Sequence, residues 1–116
     1  MAVDSSDAPS SLRAAVPAAV AEIVRAVDPV RVILFGSVAR GEEGPESDLD
    51  FLVVLDSLDP TRKTRLMAQI RRAIGAAVAA DVFVTDSVEC DRRKDVLGSM
   101  HYWPLREGEV VYERAA

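Results

Sequence analysis

The sequence predicts an α/β domain with helices flanking a mixed sheet. Three observations carry that expectation. Apolar residues recur at three- and four-residue steps over 12–27 and 61–78, the period of a helix with one buried face. Short runs at 30–35, 48–55 and 81–85 are rich in β-branched and aromatic residues and read as strands. The order helix–strand–strand–helix–strand gives a layered arrangement around one core.

The first helix is capped by Ser10 or Ser11 and runs to about Val27, with Leu12, Val16, Ala19, Val20, Ile23 and Val27 on its inner face. Asp28-Pro29 ends it, because the residue before proline avoids the right-handed helical region. Residues 1–9 are polar and read as a flexible leader, so the domain is expected over 10–116. The strand at 30–35 stops at Gly36, and a short helical turn is expected over 37–40. Residues 41–47 are a polar loop holding Gly41, Gly44 and Pro45. The second strand opens with Asp48-Leu49-Asp50 and continues as an unbroken apolar run, which predicts burial on both faces.

A second helix is expected from Thr61 to about Ala77. Leu66, Met67, Ile70, Ile74, Ala77 and Val78 point inward; Arg62, Lys63, Arg65, Arg71 and Arg72 make an outer, solvated basic stripe. The third strand begins at Asp81. Residues 87–108 read as short helices, and 109–112 as a last strand. Trp103 has two readings. It packs in the core, or it sits at a partner surface with its interface-prone neighbours Met100, His101, Tyr102, Pro104 and Leu105. Packing in the core is expected.

Composition excludes several functions. The formal net charge of −5 is wrong for gripping a nucleic-acid polymer, whose affinity comes mostly from Lys and Arg on phosphates. A mononucleotide stays open, because metal ions can meet its charge. One cysteine, Cys90, forms no disulfide within the chain, and with one histidine, His101, no Cys/His zinc site can be built. No apolar run reaches the ~18 residues of a membrane span. The start of the chain lacks the basic-then-apolar pattern of a signal peptide, so a cytoplasmic location is expected.

Three features carry chemistry. Gly36-Ser37 follows a strand: glycine lets a ligand approach the backbone, Ser37 adds a hydroxyl, and Arg40 one turn on can reach the same anion. Alone, a Gly-Ser after a strand is as readily a turn. Asp48 and Asp50 are two apart, so on a strand they face one way and repel unless a cation such as Mg²⁺ bridges them. Alone, the pair also reads as a loop cap and a solvated strand end. Asp81 opens another core strand; beside the second it would add a third carboxylate, and otherwise it is an ordinary acid at a strand start. Three carboxylates suit two Mg²⁺ ions in phosphoryl or nucleotidyl transfer, and Asp81 could also take the acceptor's proton.

The combination is more specific than its parts. GSVARGEEGPESDLDFLVVL resembles the signature of the DNA polymerase beta-like nucleotidyltransferase superfamily, in particular its minimal nucleotidyltransferases. Gly36, Ser37, Arg40, Gly41, Ser47, Asp48 and Asp50 fall on the GSxARG…SDxD pattern, and Asp81 on the third carboxylate. The segment 105–112 is also similar to the ends of such chains, so the likeness covers nearly everything from about residue 12. It implies a polymerase-beta-like palm, a mixed sheet flanked by helices. It implies that Gly36 and Ser37, with Arg40 and Ser47 beside them, hold the triphosphate. Asp48 and Asp50 would ligate two Mg²⁺, and Asp81 one of them. The implied reaction moves AMP from ATP to a hydroxyl. The implied biology is an antitoxin that binds a HEPN ribonuclease toxin, as a hetero-oligomer, and adds AMP to its tyrosine. Two other functions stay open: an antitoxin acting by contact alone, and a small-molecule nucleotidyltransferase. About 35 residues follow Asp81, too few for a second domain, so another chain is expected to complete the acceptor site.

Overall fold

The computed structural model describes residues 11–75 and 78–115. The leader proposed at 1–9 and Ser10 lie outside the described residues. The chain begins with α1, Ser11–Ala14, then α2, Val16–Val27. The single helix expected here is thus interrupted at Ala15. Pro17 gives the reason: it has no N–H to donate to the carbonyl one turn back, so it belongs in a first turn and starts a new helix. Asp28 caps α2 in the left-handed conformation, at φ 47°, with its N–H on the Val24 carbonyl. Pro29 bars right-handed helix at Asp28, and Asp tolerates the left-handed alternative.

Next come β1, Arg31–Phe35, the short α3, Gly36–Ala39, and β2, Leu49–Leu55. A 3₁₀ turn at Pro60–Arg62, capped by Asp59, leads into α4, Lys63–Ile74. The helix expected to reach Ala77 ends three residues earlier. Gly75, at φ 89°, turns the chain out of the helix, and Ala77 lies outside the described residues. Then come β3, Ala80–Asp86, α5, Ser87–Arg93, α6, Tyr102–Glu107, and β4, Glu109–Glu113. Among the described residues no helix is long and apolar enough to cross a membrane.

The strands form one sheet in the order β3-β2-β1-β4. β1 runs antiparallel to β2 and β4, whereas β2 and β3 are parallel and joined through α4. The sheet is therefore mixed, as the sequence predicts. Alternation sorts its side chains onto two faces. Val32, Leu34, Leu49, Phe51, Val53, Val82 and Val84 pack with Val16, Ala19, Val20 and Ile23 of α2 and Ile70 of α4 in the main core. The other face carries a smaller cluster, Ile33, Leu52, Val54 and Cys90, with Phe35, Phe83 and Leu105 against it. The short helices α5 and α6 cover that second face only in part, and its uncovered end holds the acidic residues.

Trp103 is not in the core. It is 53% exposed and stands edge-on to Tyr102, with ring centroids 4.9 Å apart. The physical reason is the shortness of α6, which seats one narrow face, Pro104 and Leu105, against the sheet and turns Trp103 outward.

Candidate active site

β1 delivers Phe35 to the edge of the uncovered face, and the chain turns at once into α3. Gly36 makes that turn at φ 81°, in the left-handed region. A β-carbon at Gly36 would collide with Oδ2 of Asp50. Glycine is thus needed twice, for the backbone angle and for the space that the carboxylate fills.

Ser37 and Ser47 lie at opposite ends of the polar loop and meet. The Ser37 hydroxyl donates to Ser47 Oγ at 3.0 Å, and the Gly44 N–H donates to the same oxygen at 2.8 Å. Ser47 thereby pins the loop to α3 and brings the next residue, Asp48, to the start of β2. Arg40 is exposed and donates from Nε to Glu42 at 3.0 Å. Its charge is nonetheless felt at Asp50, whose ionised form it favours.

The carboxylates come from two neighbouring strands. In the sheet register, Phe35 pairs with Asp50 and Asp50 pairs with Asp81, so the three form one row across β1, β2 and β3. Asp50 and Asp81 share the face that α5 and α6 leave open. Burial holds the Asp50 carboxyl above the usual carboxylate range, and the negative charges of Asp81 and then Asp48 push it the same way. Asp48 sits half-buried one residue before β2.

The three carboxylates do not close into a cage. Among the described residues, no three acidic, histidine or cysteine side chains are gathered tightly enough to ligate one ion. Like charges keep them apart, and Asp81 is drawn instead toward Arg71, with Nη2–Oδ1 at 3.8 Å. The sequence placed Arg71 among solvated cations. Nothing local reveals its position beside Asp81, because α4 must first cross the sheet to bring it there.

The fold and this row of residues define a class: a mixed-sheet domain whose open face carries a Gly-Ser turn and paired acids on adjacent strands. The sequence pattern of the nucleotidyltransferase domain matches residues 18–102, and the chain belongs to that family. A candidate protein adenylyltransferase of Methanocaldococcus jannaschii is 35% identical over 82 residues, spanning 71% of this chain and 77% of the relative. A crystal structure of a candidate nucleotidyltransferase from Sulfolobus solfataricus superposes with a TM-score of 0.60 at 20% identity, covering 89% of this chain and 81% of that one. A crystallised toxin–antitoxin with AMP-PNP superposes at 0.50 and 21% identity, covering 84% and 73%. At these identities the two superpositions speak for the fold.

Proposed function

We propose that the chain transfers AMP from ATP to a hydroxyl of a partner protein and acts as the antitoxin of a toxin–antitoxin pair. The observation that carries the proposal is the row in which Gly36 abuts Asp50 and Asp50 faces Asp81. It sets the Gly-Ser turn, with its Ser37 hydroxyl, beside acids suited to a divalent cation. The adenylyltransferase name of the M. jannaschii relative supports the reaction. The fold shared with a toxin–antitoxin bound to AMP-PNP supports the setting and the nucleotide.

The carboxylate oxygens suit Mg²⁺ in kind, and the three side chains would have to draw together to ligate it. Burial and two neighbouring acids leave Asp50 in a charge conflict, which a hard, oxygen-seeking cation removes. Asp48 and Asp50 would hold two ions and Asp81 one of them; when bound, the ions would offset the charge of the triphosphate. Gly36 and Ser37 would receive phosphate oxygens, with Arg40 as a further cation after leaving Glu42. Ser47 would keep Ser37 in place. The acceptor oxygen attacks the α-phosphorus, the bond from that phosphorus to the bridging oxygen breaks, and pyrophosphate leaves. The acceptor's proton passes to Asp81.

The resemblance of the signature names the acceptor class: a tyrosine of a HEPN ribonuclease. Intact-mass measurement of such a partner after incubation with this protein, ATP and Mg²⁺ tests the reading. The expected product is heavier by AMP, and Asp48→Asn or Asp50→Asn removes it. An unmodified partner under saturating ATP and Mg²⁺ would overturn the proposal.

One observation favours a second reading, an antitoxin acting by contact alone: Asp81 leans toward Arg71, and the three acids stay open. On that reading Asp48→Asn still protects cells at normal expression. A variant that binds the toxin without protecting would exclude it.

A further inference from the structure

β3 is an edge strand of the sheet, and Asp81 stands near its start. On one side Asp81 faces Asp50, its partner in the register with β2. On the other side is the sheet edge, and α4 reaches across it. Ile70 of α4 is fully buried in the main core, on the face of the sheet opposite to Asp50 and Asp81. The next residue, Arg71, is exposed and extends round the edge of β3 to Asp81, with Nη2–Oδ1 at 3.8 Å.

The three acids of the candidate site differ in this respect. Among the described residues, Asp81 has a cationic partner, whereas Asp48 and Asp50 form no ion pair, and Arg71 pairs with no other acid. Arg71 thus pulls Asp81 toward the edge, away from Asp50, and repulsion from Asp50 acts in the same sense. Both effects spread the carboxylates that would have to draw together to ligate an ion.

The pair is weak enough to be given up. At 3.8 Å it is longer than the about 2.7–2.9 Å of a charge-assisted hydrogen bond, and both side chains are half-exposed. Exposed pairs of this kind shift an equilibrium by a small factor. A divalent cation attracts the same carboxylate with twice the charge.

We propose that Arg71 is a positioning residue that competes with a divalent cation for Asp81, and so holds the third carboxylate out of the site until the cation is bound. The proposal rests on the reading of Asp48, Asp50 and Asp81 as cation ligands. Its consequence is that removing Arg71 tightens metal binding, and does so only through Asp81.

The full chain is titrated with Mn²⁺ alone, a hard oxygen-seeking ion like Mg²⁺, and free Mn²⁺ is read by electron paramagnetic resonance. Arg71 is exposed and Gln is a good helix former, so Arg71→Gln should fold. It should bind Mn²⁺ about two- to fivefold more tightly than the parent, the range that an exposed ion pair spans. Arg71→Lys keeps the charge and should stay near the parent. Arg72→Gln removes the same charge one residue away, from a side chain with no ion pair among the described residues, and should gain less. In an Asp81→Asn background, Arg71→Gln should gain nothing. Unchanged affinity in Arg71→Gln, an equal gain in Arg72→Gln, or a gain that survives Asp81→Asn would overturn the proposal. Asp50→Asn separates this from the reading beneath it. If the parent binds no Mn²⁺, or Asp50→Asn binds it equally well, the cation site falls and the role of Arg71 falls with it. If Asp50→Asn alone loses the ion and Arg71→Gln behaves as the parent, the site stands and only the role of Arg71 is overturned.

Discussion

Oδ2 of Asp50 occupies the place a β-carbon would take on Gly36. The Gly-Ser turn and the first acid of β2 are therefore one structural unit, although Gly36 and Asp50 stand fourteen positions apart in the sequence. Gly36→Ala must strain a left-handed backbone and displace the carboxylate together. The expected cost in stability is about 1–3 kcal/mol, read by denaturant unfolding. Binding of Mg-ATP should fall by more than tenfold, the loss expected from about 1.4 kcal/mol or more.

Asp50 also gives a pH prediction. Its folded pKa is raised, so the folded chain holds this proton more tightly than the unfolded chain. The contribution to stability is present below the ordinary carboxylate range and is lost as pH rises through the folded value. Asp50→Asn removes the penalty. At pH 7 the variant should melt higher than the parent. The difference should vanish at acid pH. Calorimetry across the acid-to-neutral range checks both, and Mg²⁺ should raise the melting temperature of the parent more than that of the variant.

Much of the framework was legible in the sequence. The strands at 31–35, 49–55 and 80–86 follow their apolar runs closely, because buried strands leave an unbroken pattern. Helix ends were less legible: Pro17 and Gly75 each override the apolar period locally, and a pattern cannot show which backbone angle wins. Trp103 reads as core in the sequence because it is large and apolar; only the shortness of the helix bearing it turns it outward. At the candidate site, the residues could be named from the signature, but their pairing could not. The Asp50–Asp81 register exists only because α4 returns β3 parallel to β2, and Arg71 reaches Asp81 by the same crossing.

Ser47 should matter more to binding than to folding. Its hydroxyl receives the Ser37 O–H and the Gly44 N–H in a loop that contributes little to the core. Ser47→Ala should cost about 1 kcal/mol of stability. The freed Ser37 should weaken nucleotide binding several-fold, measurable by titration calorimetry.

Trp103 and Ile70 make a contrasting pair. Ile70 is fully buried in the main core, and Ile70→Ala should cost about 2–5 kcal/mol. Trp103→Ala removes a half-exposed ring and should change stability by less than about 1 kcal/mol. If the face around Trp103 meets the partner, the same substitution should weaken the complex while leaving the melting curve nearly unchanged.

Nucleotidyl transfer at the row of Gly36, Asp50 and Asp81 is read out by incubating the protein, Mg²⁺ and its partner with ATP labelled at either the α- or the γ-phosphate. The α-label should reach the partner, the γ-label should leave as pyrophosphate, and Asp50→Asn should abolish the transfer. Partner labelled from the γ-phosphate, or α-label transferred equally by Asp50→Asn, would contradict it.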